Sequence, residues 1–222
     1  KENSDYAYLT ISAAIKAGAD IIVFCDTNGG TLPFEVERII QEIFRRIEKD
    51  RALSTDDLRP KFGIHTHNDC GLAVANSIAA IRMGLTMVQG TINGYGERCG
   101  NADLTSIIPI LSEKMDVPCI PREHLSQLRS LSSYVSETAN LVPLKSRPFV
   151  GKSAFAHKGG IHVNAIMKIP RAYEHMRPEL VGNTQRVLVS DLSGKSNIEY
   201  KAAEFGLKLG GNGFDSKHIV SR

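Results

Sequence analysis

The sequence predicts an α/β fold: a first half built from repeating βα units around a parallel sheet, and a second half that is mostly helical. Three observations carry this reading. Amphipathic helical segments alternate with short, unbroken apolar runs up to about residue 115. Each apolar run empties into a polar loop, two of them rich in glycine. The rhythm stops after Val117-Pro118, where unevenly spaced prolines take over.

In chain order, residues 6–17 are predicted as a helix, with Leu9, Ile11 and Ile15 apolar and Gly18 at its end. Ile21-Ile22-Val23-Phe24 is a buried strand of the kind found in parallel sheets covered on both faces. It runs into the loop Cys25-Asp26-Thr27-Asn28-Gly29-Gly30, where Asp26 is expected to fix the turn around Thr27. A second helix spans 34–49, with Val36, Ile40, Ile43 and Ile47 on its stripe and Pro33 at its start. Residues 50–60 are a solvated connection. A second strand over 61–64 leads into His65-Thr66-His67-Asn68-Asp69, and the helix 72–83 after it stops at Gly84. A third strand starts at Met87 and runs into Asn93-Gly94-Tyr95-Gly96-Glu97-Arg98-Cys99-Gly100-Asn101. Asp103 is expected to cap the helix that reaches Met115. Farther on, 121–140 is predicted as one long helix whose Leu and Val stripe is core, 142–187 as irregular, 197–205 as a last helix, and 208–222 as a frayed tail. Three βα units within roughly 100 residues fit either part of a (β/α)₈ barrel or an open doubly wound sheet.

Bulk properties narrow the function. With 27 basic and 24 acidic residues in 222, the net charge is only +3, and the basic residues are scattered, which argues against nucleic acid and membrane surfaces as partners. The four cysteines form no CxxC pair, so a cysteine-rich zinc site is not expected. No apolar run is long enough to cross a membrane, and free thiols suit the cytoplasm.

His65 and His67 carry the clearest chemistry. They lie two apart at a strand end, so both imidazoles point to the same side. Imidazole is a good ligand for Zn, Mn, Co or Fe. Spacing alone leaves open a second reading, a pair of hydrogen-bonded polar groups. The glycine-rich loop one unit later shifts the balance, because Asn101 can offer a side-chain oxygen to the same ion. Glu97 and Arg98 are expected to brace that loop and orient the ligands. Gly94, Gly96 and Gly100 mimic a dinucleotide fingerprint, but the spacing is GxGxxxG and no acidic residue follows at a next strand end.

HTHND, followed by GERCGN and preceded by CDTNGGTLP, resembles the family of 2-isopropylmalate, citramalate and homocitrate synthases, whose relatives include 3-hydroxy-3-methylglutaryl-CoA lyase. The stretch 155–183 is most similar to the citramalate synthases and their close isopropylmalate-synthase-like kin. The resemblance implies the C-terminal part of a (β/α)₈ TIM barrel, its last three βα units, followed by a mostly helical subdomain. Residues 1–118 would be partial barrel, 119–207 the helical region, and 208–222 a flexible tail. It implies His65, His67 and Asn101 at a divalent metal (Zn, Mn, Co or Mg) and Thr27 on the carboxylate of a 2-oxo acid. It implies His162 and Tyr173 as catalytic residues, contributed across a homodimer.

The implied activity is condensation of acetyl-CoA with a 2-oxo acid, most closely pyruvate to (R)-citramalate in isoleucine biosynthesis, in the cytoplasm. The alternatives are 2-isopropylmalate synthase, in leucine biosynthesis, and a hydroxyacyl-CoA lyase. The family's opening strand, with its arginine and its metal-binding aspartate, has no counterpart here, nor does its glutamate base. The chain by itself is therefore expected to be inactive. Cys99 is expected to be a buried, inert thiol; His124, His175 and His218 are expected at the surface, and His157 as a loop brace.

Overall fold

In the computed structural model, which describes residues 3–50, 53, 60–189 and 195–207, the three apolar runs form one parallel sheet. Strand β1 (Ile21–Asp26) pairs with β2 (Lys61–Thr66), and β2 with β3 (Met87–Gln89), in the order β1-β2-β3. Sequential parallel strands need a crossover, and the helices supply it. Helix α1 (Ser4–Lys16) starts where the Asn3 side chain accepts from the Tyr6 N–H. Helix α2 (Pro33–Lys49) has Pro at its first position, and the Glu35 side chain accepts from the Leu32 N–H. Helix α3 (Ala73–Arg82) and α4 (Leu104–Lys114) follow β2 and β3. Asp103 caps α4 as expected, accepting from the N–H and hydroxyl of Thr105 at 2.9 and 2.6 Å.

Period-two alternation divides the sheet. Phe24, Phe62, Ile64 and Val88 pack with Val36 and Ile40 of α2 and Ala80 of α3 into the core. Each fully buried Ile or Leu there contributes about 1.5–3 kcal/mol. The phenyl ring of Phe62 stacks on Phe24 and meets Phe44 edge-on. The opposite face differs from the expectation of a sheet covered on both sides: Ile21 and Cys25 of β1 and Gln89 of β3 are exposed. Both crossover helices, α2 and α3, pack on the other face.

The chain divides into two compact units, Lys1–Leu111 and Ser112–Arg222. In the second, the expected long helix over 121–140 is two: α5 (Arg122–Leu125) and α6 (Leu128–Thr138). The Ser126 hydroxyl donates to the Glu123 carbonyl and the Gln127 N–H to that of His124, so the chain tightens between them. The buried stripe nevertheless keeps helical spacing across the break. Leu125 and Leu128 are buried, but Leu131 is exposed, and the buried face of α6 continues through Ser132 and Ser136. The region read as irregular contains a short parallel pair, β4 (Ala156–His157) with β5 (Arg186–Val187), and helix α7 (Gly160–Lys168). Val163 and Ile166 of α7 pack with Val187 and with Tyr200 of α8 (Lys195–Glu204). The connection 50–60 falls largely outside the described residues, though Leu53 within it is buried; the tail 208–222 and His218 lie outside them too.

Candidate metal centre

The site lies at the C-terminal ends of the three strands, where open polar loops gather. Thr66 is fully buried, its hydroxyl donating to the Ala73 carbonyl and meeting the Ser77 hydroxyl at 3.0 Å. Pinning Thr66 under α3 turns His65 and His67 to the opposite side. There the two Nε2 atoms stand 3.3 Å apart. Two nitrogens about 2.1 Å from one ion would stand roughly 3.0–3.4 Å apart in octahedral or tetrahedral coordination. The pair thus fits a single cation.

Asn101 is brought to the same place by tertiary structure. It forms an antiparallel bridge with His67, the Ala102 N–H donates to the Thr66 carbonyl, and the Asn68 N–H donates to the Gly100 carbonyl. Gly100 has φ 95°, and a Cβ there would fall 2.1 Å from the Gly94 carbonyl oxygen, so the loop closes only with glycine at this point. The Asn101 Oδ1 and both histidine Nδ1 atoms are buried without a hydrogen-bond partner. An unsatisfied buried group costs about 1–3 kcal/mol, and of these three only the Asn101 Oδ1 could be satisfied by an ion held at the two Nε2 atoms. Burial, and then the neighbouring His67, hold His65 below the ordinary histidine pKa, which favours the neutral ring that ligates metal. The donor set of two imidazoles and an amide oxygen suits a borderline divalent ion. Among the described residues, no three His, Cys, Asp or Glu side chains come together as a ligand set.

Thr27 sits exposed in the loop after β1. Asp26 fixes that loop as expected, its Oδ1 accepting from the Thr31 hydroxyl at 2.7 Å. Asn76, which the sequence reading passed over, also holds it: its Nδ2 donates to the Thr31 carbonyl at 2.7 Å and lies 3.4 Å from the Asp26 carboxylate. One lone amide on the small apolar face of α3, Ala73-Val74-Ala75-Asn76, was the available signal. Asn68 accepts from the Ala73 N–H at the start of α3. Arg98 reaches across, binding both carboxylate oxygens of Asp69 at 2.8 and 3.0 Å and the Thr27 carbonyl at 2.7 Å. Its hydrogen bond holds the Asp69 carboxyl below the usual carboxylate range. Cys99 contradicts its expected burial: it is exposed, flanked by Arg98 and Gly100, both with left-handed backbone, so the loop turns its thiol outward.

In the second unit, His162 of α7 and Tyr173 stack with ring centroids 4.4 Å apart and 27° between planes. Both are exposed. Beside them His157 is buried and meets Glu174 at 3.2 Å, so the expected brace spans from β4 to the residue after Tyr173. His124 is exposed, and so is His175, whose ring lies against Phe149 and Phe155.

The HMGL-like family model matches residues 2–135, and the homocitrate synthase post-HMGL domain-like model matches 149–220. An (R)-citramalate synthase of Geobacter sulfurreducens is 57% identical over all of this chain, which covers 39% of that protein. A 2-isopropylmalate synthase of Bradyrhizobium diazoefficiens is 37% identical over 96% of the chain, covering 40% of its own length. The chain thus spans about two fifths of these relatives. An HMG-CoA lyase structure from Bacillus subtilis superposes with TM-score 0.52 at 25% identity, over 65% of this chain and 46% of that one. The three-stranded sheet with its helices is therefore part of a TIM barrel, and the chain belongs to the HMGL-like family.

Proposed function

We propose that the protein carrying this chain is a divalent-metal-dependent acyltransferase that condenses acetyl-CoA with pyruvate to form (R)-citramalate. The observation that carries the reading is the 3.3 Å approach of the His65 and His67 Nε2 atoms, with Asn101 bridged to His67 and its Oδ1 buried without a partner, at the C-terminal rim of a barrel sheet. The greater identity to an (R)-citramalate synthase, 57% against 37% for a 2-isopropylmalate synthase, supports pyruvate over a bulkier oxo acid. With that product, the enzyme would serve isoleucine synthesis.

In this reading His65, His67 and Asn101 hold a divalent ion, Zn, Mn, Co or Mg. A bound divalent ion supplies Lewis acidity to the keto group and a template for the oxo acid. Thr27 holds the carboxylate of the oxo acid. His162 and Tyr173, from the second subunit of a homodimer, move the protons of condensation and of thioester hydrolysis. The exposed free thiols of Cys25, Cys70, Cys99 and Cys119 suit a reducing cytoplasm.

The test uses the intact protein, loaded with Mn²⁺, and follows free CoA released from acetyl-CoA plus pyruvate. Release with pyruvate, and much less with a branched 2-oxo acid, is expected. Preference for the branched acid would move the reading to 2-isopropylmalate synthase; cleavage of hydroxymethylglutaryl-CoA without condensation would overturn it. The 222-residue chain alone is expected to show no turnover.

A further inference from the structure

Arg98 joins three loops that are far apart in sequence. Its partners Asp69 and Thr27 lie 29 and 71 positions away, in the loops after β2 and β1. Nε and Nη2 engage both Asp69 oxygens, and Nη2 also donates to the Thr27 carbonyl. The three loops are otherwise knit by backbone bonds, His67 N–H to the Asp26 carbonyl, Cys70 N–H to that of Gly29 and Asn68 N–H to that of Gly100. They touch so closely that a Cβ on Gly29 would fall 2.5 Å from the Asp69 carboxylate.

Two further features argue that this contact serves geometry. Arg98 adopts φ 53°, a left-handed conformation that is strained for a residue with a side chain and is kept where the surroundings require it. Its salt bridge to Asp69 is also partly exposed, with 42% and 24% of the two side chains accessible, and such pairs add little stability. Asp69 is the carboxylate nearest His67 in sequence. With both oxygens held by Arg98, it is kept as a brace rather than offered to the ion.

We propose that Arg98 is a positioning residue that couples the Thr27 loop to the His67 loop, so that oxo-acid binding and metal binding are set together. This rests on the proposed assignment of His65, His67 and Asn101 to the metal and Thr27 to the substrate carboxylate. Only a planar guanidinium can span the two Asp69 oxygens and the carbonyl at once, so lysine does not substitute.

The experiment compares Arg98→Lys, Arg98→Ala, Asp69→Asn and His65→Ala in the intact protein. It measures Mn²⁺ affinity by equilibrium dialysis, and kcat and KM for each substrate. Both Arg98 variants are expected to weaken Mn²⁺ binding and raise the oxo-acid KM, each about tenfold, with the acetyl-CoA KM unchanged. Asp69→Asn is expected to act in the same direction with a smaller effect, and it and Arg98→Lys decide the matter if Arg98→Ala does not fold. Arg98→Lys and Asp69→Asn with wild-type Mn²⁺ affinity and oxo-acid KM would overturn the coupling, as would a fall in kcat alone. His65→Ala separates the two ideas. If it abolishes Mn²⁺ binding while the Arg98 variants are silent, only the coupling fails. If it leaves Mn²⁺ binding intact, the metal assignment fails and takes the coupling with it.

Discussion

Asn76→Asp changes chemistry at a fully buried position with almost no change in volume. The wild-type Nδ2 donates to the Thr31 carbonyl at 2.7 Å and faces the Asp26 carboxylate at 3.4 Å. An aspartate there puts an acceptor, or a second negative charge, against both. Burial and the Asp26 carboxylate each disfavour ionisation, so its folded pKa lies above the unfolded value of about 3.9. The unfolded chain then holds fewer protons than the folded one between those two values. Destabilisation is therefore small below pH ~4 and grows by up to about 1.4 kcal/mol per pH unit as pH rises toward the folded pKa. Burying a second carboxylate beside Asp26 costs on the order of several kcal/mol at pH 7. Losing one donor adds about 1 kcal/mol at every pH. Urea unfolding of the intact protein at pH 4.5 and pH 7 reads both parts. Equal stability of variant and wild type at both values would refute the reasoning, because it would mean the Thr27 loop does not depend on Asn76.

Three other outcomes follow from the geometry. His65→Ala and His67→Ala are each expected to lower Zn²⁺ or Mn²⁺ affinity by at least about 100-fold and Asn101→Ala by about tenfold, read by titration calorimetry. Burial and then Lys114 hold the His175 pKa below its ordinary value; an NMR titration should find its midpoint under ~6.5 and Lys114→Met should raise it. Because the fold favours the neutral ring, this group's contribution is present above the unfolded pKa and is lost as pH falls through the folded one. Glu174→Ala leaves buried His157 without its partner and should cost about 2–4 kcal/mol in urea unfolding, whereas an effect under ~0.5 kcal/mol would show that the pair braces nothing.

Local pattern was enough for much of this molecule. The β-branched run at 21–23 and the alternation of Phe62 and Ile64 pointed to strands, and the stripe of α2 packs against that sheet's core face. The one-face placement of His65 and His67 follows from strand alternation alone. What needed the tertiary structure depends on chain segments meeting. Asn101 reaches His67 through a bridge between separate loops, and Arg98 finds Asp69 and Thr27 across 29 and 71 positions. No periodicity encodes such partners, because hydrogen bonds between loops leave no repeat in the sequence. The break between α5 and α6 escaped for a related reason: Ser126 and Gln127 are acceptable in a helix, and a side-chain bond to the Glu123 carbonyl, seen only in three dimensions, turns the chain there. The sequence by itself thus determined the βα rhythm and the facing pair of imidazoles. The fold decided which distant side chains complete and brace them, since that is a matter of contact between loops rather than of order along the chain.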